Sequence, residues 1–252
     1  MWMQFNGLFL FILTLLPLVL LQRLLHREIQ AVLLILSRDR AVTIGIFSII
    51  FLPGVLLHEC SHYFMAAILG VRTGNFSLFP RTLPGGRLQM GYVETSRTDI
   101  VRDSLIGAAP LVAGGLFVAY AAISRLQLLP LWEVLRNGQS GLFWLGLQLL
   151  PQVKDFPLWF YLTFAVSSTM MPSGSDRHAW LPLGASIVLL LMLALVGGAG
   201  PWMLEHVGPP TNAFLGSVAT VFGLSAAVHM ALILPFAAAH RLVAGVTGVD
   251  VT

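Results

Sequence analysis

Six apolar stretches run through this chain of 252 residues: Phe5 to Leu21, Val42 to Leu69, Ser104 to Ile123, Phe156 to Met171, Trp180 to Val196 and Ala213 to Ala238. A helix needs about 20 residues to cross a hydrocarbon core about 30 Å thick. Only 10% of the residues are charged and 57% are apolar, whereas soluble domains carry roughly 25% charged residues. So few charges cannot coat a water-soluble surface, but lipid can solvate a bundle of this composition. The expected fold is an all-α polytopic membrane protein, one domain over 1–252, with about six transmembrane helices.

Two segments between these stretches are too short or too polar to cross. Arg23, Arg27 and Glu28 precede "IQAVLLIL", and Arg38, Asp39 and Arg40 follow it, which predicts an amphipathic piece lying in the interface. Leu126 to Pro157 is mixed, with Trp132 and Trp144 dispersed along it, and reads as interfacial too. Between the second and third stretches, Phe76 and Leu78, then Leu88, Met90 and Tyr92, alternate with smaller or polar residues around Pro84-Gly85-Gly86. That pattern predicts a small β-hairpin over 74–93. Open strands do not face lipid, so the hairpin belongs on the surface or in a protein-lined cavity.

The net charge of +3 comes from thirteen arginines and one lysine against eleven acids. No basic run marks a nucleic-acid partner, and the arginines serve as anchors to the lipid bilayer. Cys60 is the sole cysteine, so no intrachain disulfide forms. The N-terminal stretch has no positive n-region and no cleavage site after Leu21, which predicts a retained first span.

The second stretch contains His58-Glu59-Cys60-Ser61-His62. Ionisable groups inside a membrane helix are rare and usually functional. Residues four apart share a helix face, so His58 and His62 can grip one metal ion, while Glu59 lies beside it as a proton acceptor. This is the content of HExxH, for which zinc is the usual ion, held by three protein ligands with a fourth position open. Cys60 points to another face. Following the spans back and forth brings the end of the fourth, with Asp176 and His178, to the level of the pentad; either side chain can complete the set. His229, inside the sixth span, reads as a packed, hydrogen-bonded histidine. His26, His206 and His240 sit at span ends, where snorkelling is expected.

Together these features resemble the site-2 protease (M50) family of intramembrane zinc metalloproteases, over roughly Val42 to Trp180. HExxH lies in a membrane helix. A hairpin with Gly91-Tyr92-Val93 follows. "AAPLVAG" is similar to the family's Gly-Pro-Leu-x-Asn, and "MMPSGSD" to its Asn-x-x-Pro…Asp-Gly. Ala109, Ala113 and Thr169 stand where the family has Gly, Asn and Asn. The resemblance implies a minimal member with core 42–180 and no accessory domain. It would hold Zn2+ on His58, His62 and Asp176, with Glu59 as general base. Its substrate would be a transmembrane protein or peptide, and its catalytic end would face the cytosol of a bacterial cytoplasmic membrane. Phe76, Leu78, Ser168 and Thr169 are the candidate substrate contacts. Two other readings compete. One is a zinc-binding transporter or inactive scaffold. The other is a membrane zincin of the M48 type, whose downstream glutamate ligand has only Glu205 as a candidate after the fourth span.

Overall fold

The computed structural model describes residues 6–82 and 88–249. Four of its helices are long and apolar enough to cross a membrane: α1 (Asn6–Ser37), α2 (Arg40–Ile68), α3 (Ile100–Tyr120, continued by a π-helical turn to Arg125) and α9 (Gly208–Thr247). They suggest a membrane protein. α4 (Leu128–Arg136) and α5 (Ser140–Leu149) have 9 and 10 residues, too few to cross. α6 (Phe156–Thr169) and α7 (Trp180–Val196) were expected to span, yet have only 14 and 17 residues. At 1.5 Å per residue α6 covers about 21 Å. α7 meets α8 (Gly200–His206) at a bend of 118°, and the pair counts as at most one further span. Four long helices, or five spans with the bent pair, therefore stand where about six were expected.

Local signals explain the boundaries of α2. Asp39 accepts from the Ala41 and Val42 N–H groups at 2.6 and 3.1 Å, a cap worth about 1 kcal/mol. At the other end Gly70 takes a positive φ of 69°, and Val71 N–H returns to the Ala66 carbonyl. A left-handed residue here is the common stop that glycine permits. Asp99 caps α3 as Asp39 caps α2.

α1 differs from expectation, because it runs unbroken through the amphipathic segment after Leu21. Neighbouring helices satisfy the polar side chains that would otherwise keep this segment at the interface. The Gln22 amide donates to the Ser167 carbonyl at 2.6 Å, and His240 Nδ1–H donates to Glu28 at 2.6 Å. His26 is likewise not at a helix end. Its ring packs 4.8 Å from Phe51 and 5.5 Å from Phe47.

Contacts define the helix directions. Tyr161 donates to the Ile50 carbonyl, Gly54 backs onto Ala165, and His58 bonds the Thr169 carbonyl, so α6 runs parallel to α2. α3 runs against α6, with Gly114 on Met170 and Tyr120 on Trp159. α1 and α9 lie parallel along Gly7–Asn212, Thr14–Gly223 and Glu28–His240. Two apolar clusters fill the bundle, one around Phe51 and Phe164, the other around Leu18, Met170 and Phe222.

Between α2 and α3, β1 (Thr73–Ser77) pairs antiparallel with β4 (Tyr92–Thr95), matching Phe76 with Val93. Farther out, β2 (Arg81–Thr82) pairs with β3 (Leu88–Gln89). The hairpin expected over 74–93 is present; its Pro84-Gly85-Gly86 turn lies outside the described residues.

Candidate metal centre

One turn of α2 brings His58 and His62 together, with their Nε2 atoms 3.2 Å apart. The other nitrogen of each ring is committed. His58 Nδ1–H donates to the Thr169 carbonyl at 2.6 Å and His62 Nδ1–H to the Ile106 carbonyl at 2.8 Å. Both carbonyls are left without a helical N–H donor. Thr169 ends α6, where carbonyls lack intrahelical donors. Ile106 lies four residues before Pro110, which sits inside α3 and has no N–H to offer. In a neutral ring each of these bonds places the proton on Nδ1 and turns the Nε2 lone pair toward the other histidine. Two such lone pairs at 3.2 Å repel unless a proton or a metal ion is shared between them.

Asp176 arrives on the segment after α6. Its Oδ1 is 3.4 Å from His62 Nε2 and its Oδ2 is 3.6 Å from His58 Nε2. A reciprocal pair orients the carboxylate: Ser173 N–H donates to Asp176 Oδ2 at 2.6 Å, and Asp176 N–H donates to Ser173 Oγ at 3.3 Å. Ser173-Gly174-Ser175-Asp176 has the reciprocal hydrogen bonds of a capping box, with Asp in the place of the usual Glu, but closes a turn and not a helix. Burial alone would raise the Asp176 carboxyl. The two histidines and Ser173 outweigh it and hold the group at about 2, so it is ionised throughout the neutral range. The backbone of Asp176 lies on Gly107 of α3, where an added Cβ would overlap the Asp176 carbonyl oxygen.

His58, His62 and Asp176 each offer a donor atom, all within 4.8 Å of one another. Two imidazole nitrogens with second-position hydrogen bonds and one carboxylate make a donor set that fits a metal ion. The group can hold one. Glu59 is 6% exposed and lies under the backbone of Gly91, where a Cβ would come within 2.8 Å of its Cγ. Glu59 lines the same cavity, of about 860 Å3, as the three donor residues.

The remaining candidates separate clearly. Ser168 and Thr169 line the cavity. Ser168 donates to His229 Nε2 at 2.9 Å, and His229 Nδ1–H donates to the Ser225 carbonyl, so His229 is the packed histidine its sequence context predicts. The Thr169 hydroxyl turns back to the Ala165 carbonyl. Phe76 and Leu78 are not brought to the cavity wall. Phe76 is 43% exposed, and Leu78 packs against the Phe51 cluster. Tyr92, Val93, Glu94 and Thr95 of β4 line the cavity instead. A period-two pattern identifies strands but not which one faces a site. His178 does not join the metal group, because its Nε2 lies 2.6 Å from Asp103 Oδ2. Neither Cys60 nor Glu205 belongs to the group.

Four residues here were not singled out from sequence: Ile106, Gly107, Pro110 and Ser173. The last two had readable signals, a proline inside a helix and an S-x-x-D box ahead of an apolar run. Pro110→Ala supplies an amide that competes with His62 for the Ile106 carbonyl. The expected result is metal binding weaker by about tenfold, the low end for loss of an outer hydrogen bond, in a protein whose melting temperature does not fall. Chelator competition and thermal unfolding measure the two, and unchanged affinity would show that His62 needs no vacated carbonyl.

No family model, no curated protein and no solved structure matches this chain.

Proposed function

We propose that the protein is a zinc-dependent intramembrane endopeptidase, similar to site-2 proteases, that hydrolyses peptide bonds in or near transmembrane segments. The observation that carries this reading is the facing pair of Nε2 atoms, 3.2 Å apart, joined by Asp176 and flanked by buried Glu59. Zinc held there would supply Lewis acidity, polarising the scissile carbonyl and acidifying a water. Glu59 takes the proton of the attacking water and returns it to the leaving amine. Its burial under Gly91 limits competing water. An extended substrate segment would lie along β4, which lines the cavity, through main-chain hydrogen bonds. Such pairing requires the substrate helix to unwind locally, which frees the amides it hides.

In this reading α1, α2, α3 and α9 cross the bilayer, and α6, which at about 21 Å is shorter than the hydrocarbon core, carries the chain between the faces inside the bundle. α6 and α9 run in opposite directions, so α7 and α8 return on the face they leave. The metal lies toward that face, which would be cytosolic in a bacterial cytoplasmic membrane. A second reading, a zinc-binding membrane protein without hydrolysis, draws on further polar groups inside the bundle: Gln22, His229 and the Glu28–His240 pair.

The test uses protein purified in detergent. Wild type is expected to carry one zinc per chain and to cleave a transmembrane peptide in a chelator-sensitive way. His58→Ala and Asp176→Ala should lose both properties. Zinc binding without cleavage would favour the second reading, and cleavage that survives both substitutions would sink the first.

A further inference from the structure

Asp176 reaches the histidines on a segment that docks along the first two turns of α3. Three contacts make the dock, at neighbouring positions. The Asp176 carbonyl lies on Gly107. His178 Nε2 lies 2.6 Å from Asp103 Oδ2, and Trp180 Nε1–H donates to the Ser104 carbonyl at 3.2 Å. His178 also ties its own segment, with Nδ1 2.6 Å from the Ser175 carbonyl. α3 supplies the Ile106 carbonyl to His62 as well. The same helix turns thus register both the histidine half and the carboxylate half of the metal group.

We propose that Asp103 and His178 are positioning residues that latch the Asp176 segment to α3 and so set how long the metal is retained. This rests on the metal reading of His58, His62 and Asp176. A surface ion pair contributes little by its charges alone, and the His178 side chain is 66% exposed. Its leverage is geometric. Asp176 is two residues from His178, and its oxygens are held at 3.4 and 3.6 Å from two fixed nitrogens. A shift of about 1 Å in the segment withdraws the third donor, because zinc–ligand distances are held within about 0.2 Å. Asp103 and His178 both line the cavity, which places the latch on its wall.

The experiment compares wild type, Asp103→Asn, His178→Gln and the exchange Asp103→His with His178→Asp, all purified in detergent. Three quantities are read: release of zinc to a chelator, the visible spectrum of the Co2+-loaded protein, and melting temperature without metal. Each single substitution is expected to speed metal release at least tenfold and weaken the Co2+ bands, with little change in the metal-free melting temperature. The exchange should restore most of both metal properties. Metal release and spectra like those of wild type in the single variants overturn the latch alone. So does faster release that the exchange leaves unrepaired, or that tracks a fall in metal-free stability. A wild type that takes up neither metal overturns the latch together with the metal reading beneath it.

Discussion

Glu59→Gln is expected to keep its zinc and lose hydrolysis of a transmembrane substrate by a factor of about 10³. The substitution preserves shape and hydrogen-bonding capacity beneath Gly91, where space is too tight for a Cβ. It leaves His58, His62 and Asp176 untouched. The only function removed is acceptance of a proton, and positioned acid–base groups contribute about 10²–10⁴ in rate. Metal content and turnover number are therefore the two measurements. A variant that still turns over at more than about a tenth of the wild-type rate removes Glu59 from the chemistry. A variant that loses its metal shows that Glu59 shapes the site instead.

Gly107→Val should have the next largest effect, from a residue that donates nothing to the metal. Its first side-chain carbon would overlap the Asp176 carbonyl oxygen, a backbone atom that a rotamer change cannot move aside. The segment must lift, and the carboxylate lifts with it. Loss of the third donor is expected to weaken zinc at least about a hundredfold, the upper range for disturbing an outer contact. His58 and His62 keep their bonds to Thr169 and Ile106, so weak two-histidine binding should persist. Titration with zinc against a competing chelator gives the result. Affinity within a few-fold of wild type would mean that the segment has another way to deliver Asp176.

How far the site was readable from sequence depended on whether each cause was local. His58, Glu59 and His62 are one helical turn, so their spacing is their geometry. Asp176 is 114 residues beyond His62, yet the back-and-forth order of the spans brought it and His178 to the right level. Choosing between those two required a contact: Asp103 occupies His178, and no pattern along the chain pairs 103 with 178. Side-chain alternation found the hairpin but could not tell β1 from β4, because sidedness depends on packing against α2. The continuity of α1 was hidden for the same reason. Gln22 and Glu28 looked too polar for a bundle interior until their partners Ser167 and His240 were in place. The expected count of about six spans is not confirmed where length and hydropathy diverge. α6 and α7 are apolar enough but short, and α7 bends into α8 instead of continuing.

The parallel pairing of α1 with α9 sets a waiting time during biosynthesis. Gly7 must meet Asn212 and Glu28 must meet His240, partners separated by 205 and 212 positions. At about 5–20 residues per second the ribosome needs on the order of 10–40 s to make the second helix after the first. During that interval Glu28 faces lipid or a foreign protein without its final partner, His240. Assembly therefore waits for α9, and a chain cut short before α9 should be a substrate for quality-control proteolysis even though every metal-site residue has already been synthesised.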